Sequence, residues 1–252
     1  IERGLFTASG TNLTLVGEVD LHKEPKGSLH FSGPFDLESF DQKVAGLGLS
    51  LKGIAQSKAV LAIDGAKLSL TGTLRGQDGS YASLPIDVFS TNLSWDGSNV
   101  RLKDLVLETL SGRAVLDVDA PQNAAVRVKG TLARLSAEPL LHWLFDYGTA
   151  SLGSRVSGPI DLSFPKGAAN LLSGSGDLTF EADPALGEPL SGRFPFRADR
   201  GVVTMNGAQL GVPGTWVTID GSMQPDKRLS LELKLVSDDL ASTDALGVRL
   251  RG

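Results

Sequence analysis

The sequence predicts an all-β protein: one long, bent antiparallel sheet forming a groove with an apolar concave face, plus one short helix. Three observations predict it. Apolar and polar residues alternate with period two over most of the 252 residues, and successive side chains of an extended strand point to opposite faces. Turn-forming pairs interrupt the alternation at short intervals. Glycine repeatedly takes an apolar-parity position inside a strand, where it permits bending and close approach.

Each element follows from its residues. In "NLTLVGEVDL" the alternation places Leu13, Leu15, Gly17, Val19 and Leu21 on one face. His22 and His30 flank Lys-Glu-Pro-Lys-Gly, which suits a hairpin. "DLESFDQKVAG" (36–46) reads as a weak helical turn. "KLSLTGTL" aligns Leu68, Leu70, Gly72 and Leu74, and "NLSW" aligns Leu93 and Trp95. "AVRVKGTL" aligns Val126, Val128, Gly130 and Leu132. Later strands carry Ile160, Leu162 and Phe164, then Leu178 and Phe180, then Phe194 and Phe196, then Val217, Ile219, Gly221 and Met223. The last, "RLSLELKLVSDD", sets Leu229, Leu231, Leu233 and Leu235 against Ser230, Glu232 and Lys234. Expected turns are Asp64-Gly65, Asp78-Gly79, Asp96-Gly97, Ser111-Gly112, Pro121-Gln122-Asn123, Gly174 to Asp177 and Asp199-Arg200-Gly201. This spacing gives about fifteen short strands joined mostly to their sequence neighbours. No composition break marks a linker, so residues 1–252 are expected to form a single segment.

One stretch breaks the pattern. In "LSAEPLLHWLFDYGTASLG", Ser136 and Glu138 precede Pro139, a helix start, and Gly148 is a stop. The helix is expected near 137–147. Its Leu140, Leu141, Trp143 and Leu144 are expected to plug part of the apolar face. The chain also echoes itself: "FSGPFDLESF" and "VSGPIDLSFP" share a Ser-Gly-Pro-apolar-Asp-Leu core, a degenerate repeat.

Composition narrows the function. The net charge of −5 argues against a nucleic-acid partner and against a polybasic membrane patch. The absence of cysteine removes disulfides, thiolate metal sites and thiol nucleophiles. No apolar run approaches the ~20 residues of a membrane span. The chain begins at Ile1 and ends in "VRLRG", so it is read as a segment of a larger protein whose membrane anchor lies elsewhere. Three histidines offer no third metal ligand, and His142 falls inside the helix. No G-x-S-x-G, H-E-x-x-H or EF-hand spacing occurs. No catalytic residue, metal or cofactor is expected, and no enzyme.

What the leucine face packs against decides the function. A sandwich closes two sheets over a dry core. A single bent sheet leaves an aliphatic trough. The sandwich anchors, a central Trp or a disulfide, are missing, and Gly17, Gly72, Gly130 and Gly221 sit on the apolar parity.

The stretches "RVSGPIDLSFPKGAANLLSGSGDLTFEAD", "LSGRFPFRADRGVVTMNGAQLGVPGTWVTIDGSM" and "LSWDGSNVRLKDLVLETLSGRAVLDVDA" carry a resemblance. In them the chain resembles the AsmA-like family of Gram-negative envelope proteins, of the TamB and YhdP type. The resemblance covers most of the chain and brings no catalytic motif. It implies a taco-like β-groove, a periplasmic location, an inner-membrane anchor outside this segment, and phospholipid movement between inner and outer membranes. The alternating residues named above would then line a groove for phospholipid acyl chains. The alternative is a scaffold or chaperone for outer-membrane protein assembly, with an outer-membrane barrel protein as partner. A lectin-like or adhesin sandwich is the third reading.

Overall fold

The computed structural model describes residues 4–8, 11–20, 22, 24–40, 51–81, 84–140 and 152–238. Its first strands are β1 (Gly4–Ala8), β2 (Thr11–Asp20), β3 (Lys26–Asp36), β4 (Leu51–Asp64), β5 (Lys67–Tyr81), β6 (Leu84–Trp95), β7 (Asn99–Thr109) and β8 (Gly112–Pro121). There follow β9 (Val126–Ser136), β10 (Leu152–Phe164), β11 (Ser173–Ala182), β12 (Glu188–Pro189), β13 (Ser191–Asp199), β14 (Val202–Val212), β15 (Thr215–Met223) and β16 (Leu229–Ser237). A four-residue helix, α1 (Leu37–Phe40), continues directly from β3. It lies within the stretch expected to make a helical turn.

All sixteen strands belong to one sheet, ordered β1-β2-β3-β4-β5-β6-β7-β8-β9-β10-β11-β13-β14-β15-β16. The two-residue β12 stands off this path and pairs in parallel with β10. The order is open, with β1 and β16 at its two ends. The expected single antiparallel sheet is therefore what forms, and it is not closed into a barrel. By contacts the chain divides into two compact units. The first holds Ile1–Thr109, Ala114–Val128 and Pro165–Gly167; the second holds Leu110–Arg113, Lys129–Phe164 and Ala168–Gly252. Sequence alone, with no break in composition, gave no sign of this division.

Most expected turns form, and two do not. Asp78-Gly79 lies inside β5, which runs for 15 residues without reversing. Asp78 adopts φ 54°, and the register against β4 slips between Lys52 and Ile54. The pair makes a bulge, in which one strand carries an extra residue and a left-handed φ absorbs it. The second miss is Gly174 to Asp177, which lies within β11 rather than in a turn. Strands are accordingly longer than expected, up to 14 and 15 residues in β4 and β5. At the β7–β8 reversal the left-handed positions fall on Leu110 (φ 49°) and Ser111 (φ 56°), one residue earlier than expected.

The β6–β7 turn depends on one carboxylate. Asp96 Oδ1 accepts from the Asn99 and Ser98 amides at 2.8 and 3.1 Å and from Ser98 Oγ at 2.9 Å. These bonds, the Asn99 amide foremost, lower its pKa from 3.8 to about 2. A depressed carboxylate stabilises the fold fully above its unfolded value and loses that contribution as pH falls through the folded value. The Tm gap between wild type and Asp96→Ala is therefore expected to be constant above about pH 5 and to shrink as pH falls from 3.8 toward 2. A gap that does not change with pH would show that the ionised carboxylate is not what holds the turn.

Candidate functional site

In the first unit, register joins the predicted apolar residues into rows. Leu15 faces Phe31, and Leu70 lies between Leu61 and Trp95. Gly72 sits between Ala59 and Leu93, and Leu68 faces Ile63. Leu13 belongs to β2 opposite Phe6. Two hydroxyls interrupt this face without leaving an unpaired polar group. Ser57 Oγ donates to the Gly33 carbonyl at 3.1 Å, and Thr91 Oγ1 to the Lys103 carbonyl at 3.1 Å. Each spends its donor on a neighbouring strand, so the cost of burying it is offset. Leu93 and Val126 are buried, while Leu15, Leu70, Trp95 and Val128 are half-buried and Leu68 is exposed. Leu93 and Val126 are thus packed into this face.

The second unit shows the rows most clearly. One runs Val156, Phe180, Gly192, Leu210, Val217, Leu235 across six strands. The next runs Ile160, Gly176, Phe196, Met205, Gly221, Leu231. A third takes Leu162, Gly174, Ala198, Val203, Met223 and Leu229. Leu178 faces Phe194, and Ile219 faces Leu233. Phe180 and Phe194 meet edge-to-face with centroids 6.5 Å apart, and Phe194 and Phe196 lie 6.4 Å apart.

Glycine has a use in these rows beyond bending. A Cβ on Gly176 would enter the Phe196 ring, and one on Gly76 would enter the Phe89 ring. Each glycine is a seat for an aromatic side chain from the next strand. At Gly192 (φ 144°) a Cβ would instead meet the Gln209 carbonyl. No side chain fits there without parting β13 from β14.

Burial is graded along the second unit's face. Ala137, Val156, Phe180, Leu190 and Val212 form a closed cluster, with Leu140, Leu152, Leu178, Phe194 and Leu210 packed against it. Phe180 is therefore part of the packed core of this unit. Ile160, Leu162, Phe196, Val217 and Ile219 are half-buried. On β16 the four leucines are open to solvent: Leu229 is 62% exposed, Leu231 38%, Leu233 53% and Leu235 43%. The opposite face of the same strand pair carries exposed Trp216 and Val236 besides its polar residues.

The closed end has a polar support that sequence reasoning missed. Arg155 Nε donates to Asp183 Oδ2 at 3.0 Å, and its Nη1 donates to Ser136 Oγ and the Ser111 carbonyl, both at 3.1 Å. Its side chain is only 16% exposed. The Asp183 and Leu190 amides both donate to the Gly153 carbonyl. This knot folds residues 183–190 across the end of β10 and so delivers Leu190 to the cluster. The only sequence signal was a charged residue inside an apolar strand.

Of the expected plug helix, residues 137–140 are helical. Leu140 does pack against the apolar cluster. Leu141, Trp143 and Leu144 lie outside the described residues. His22 sits in the β2–β3 connection, bonded to Asp20 at 2.8 Å, and His30 lies in β3 opposite Val16. No group of three metal-ligating side chains comes together among the described residues. No described helix is long and apolar enough to cross a membrane. No family model matches the chain, and neither a curated protein nor a solved structure does.

Proposed function

We propose that this chain is a periplasmic lipid-binding segment of an AsmA-like envelope protein. It holds phospholipid acyl chains against the apolar face of its sheet and passes them between the inner and outer membranes. It has no catalytic step. The observation that carries this reading is the graded face of the second unit. It is packed at the Val156–Phe180 end and ends on four solvent-exposed leucines. An apolar surface left open by a folded chain calls for a partner. Acyl chains match it chemically, because the rows offer methylene, methyl and aromatic groups and no unpaired charge. Each buried CH₂ contributes about 0.8 kcal/mol, so a chain of about sixteen carbons gains on the order of 10 kcal/mol over water. Such a surface needs no headgroup pocket.

Native mass spectrometry of the chain purified from Gram-negative membranes is expected to show phospholipid adducts. Lipid-free protein under conditions that preserve non-covalent complexes would overturn the proposal. The scaffold reading draws support from the exposed leucines of a terminal strand, since an extended segment can add to such an edge. It expects lipid-free protein that binds outer-membrane β-strand peptides.

A further inference from the structure

Among the described residues, β16 ends the sheet order, and its one strand neighbour is β15. Its backbone phase is fixed at both ends. The Asp238 amide donates to the Gly214 carbonyl and the Gln224 amide to the Arg228 carbonyl, each at 2.8 Å. Directly opposed residues bond in this way only at hydrogen-bonded positions, which alternate along an antiparallel pair. Ser230, Glu232, Lys234 and Val236 therefore bond inward to β15. The N–H and C=O groups of Leu229, Leu231, Leu233 and Leu235 point out along the sheet edge. Thr215 and Ser237, with oxygens 2.7 Å apart, occupy the closer, non-hydrogen-bonded kind of position that this phase requires.

We propose that β16 is a self-complementary edge, which pairs antiparallel with β16 of a second copy of this chain about a two-fold axis at Leu233. The charges choose the copy and the register. With the axis at Leu233, Leu231 faces Leu235 of the second copy, and Leu233 faces its own equivalent. Both are hydrogen-bonded positions made by outward-pointing groups. Glu232 then faces Lys234 of the second copy, and Lys234 faces its Glu232, at the closer positions where opposite charges attract most. Moving the axis one residue sets Glu232 against Glu232 or Lys234 against Lys234. Moving it to Leu231 sets Lys234 against Arg228. Only one register joins two leucine rows and pairs every charge within them. The interface is isologous, so it closes as a dimer.

Sedimentation velocity over a concentration series tests this with the 252-residue chain and three variants. The wild type is expected to dimerise as concentration rises. Glu232→Lys and Lys234→Glu each place like charges opposite one another and are expected to weaken the dimer at least about tenfold. The double reversal restores opposite charges and is expected to recover it. An equimolar mixture of the two single variants is expected to form a mixed dimer. Both side chains are exposed, so far-UV circular dichroism should be the same for all four proteins. A chain monomeric up to millimolar concentration overturns the proposal. A dimer indifferent to both single reversals overturns it too, placing the association elsewhere.

Discussion

Replacing Leu231 and Leu233 together with glutamate is expected to leave the strand signal in far-UV circular dichroism intact and to abolish uptake of a fluorescent fatty acid. The two side chains are 38% and 53% exposed, so the new carboxylates remain hydrated and escape the penalty of a buried charge. Their neighbours on β15 are Gly221 and Ile219, so the charges would stand in the middle of the proposed acyl surface. An acyl chain laid across them would have to strip water from two anions. Loss of strand signal in the double variant would mean that the leucines are sealed in a core, and the lipid-binding proposal would fail with it.

Phe180→Ala is expected to be the costliest simple truncation, about 3–5 kcal/mol in denaturant unfolding. The ring is 6% exposed and belongs to the cluster with Ala137, Val156, Leu190 and Val212. It also supports Phe194 edge-on. Leu229→Ala, on the same face at 62% exposure, is expected to cost less than about 1 kcal/mol, because little apolar area is lost and no cavity forms. The contrast matters more than either value. Similar costs at the two sites would mean that the face is uniformly packed, and that its gradient from closed to open does not exist in solution.

The faces were legible because period two is unforgiving: a one-residue slip would turn every side chain over. Leu178 and Phe180, or Val217 and Ile219, could be placed on one face from spacing alone, and the register joins them there. Sequential hairpins were legible from Asp64-Gly65 and Asp96-Gly97, where the turn chemistry is local. Glycine was the ambiguous letter. Gly174 and Gly176 read as a turn because glycine is common in turns. Their actual role depends on Leu162 and Phe196, residues on other strands. Asp78-Gly79 failed for a related reason, since a bulge and a turn use the same left-handed backbone. The Arg155 knot joins residues 111, 136, 155 and 183, and no local pattern announces a contact spread over that span. Which leucines are open and which are packed was equally hidden, since parity fixes the face a residue shares but not what lies over it.

The strand order has a consequence for how such a sheet grows and comes apart. Apart from β12 and the neighbours it separates, each strand lies beside its neighbour in sequence. Short loops close at low entropic cost, so strands can be added one after another without waiting for distant partners. In a chain of this kind stability is approximately a sum of nearest-neighbour terms, as in a repeat array. Opening begins at the terminal strands and costs less there than in the interior. The same arithmetic governs inheritance. A duplicated or deleted hairpin with an even number of residues keeps every later side chain on its own face, so the sheet can lengthen or shorten in steps without redesign of the rest. The length of such a sheet is then a heritable count of hairpins.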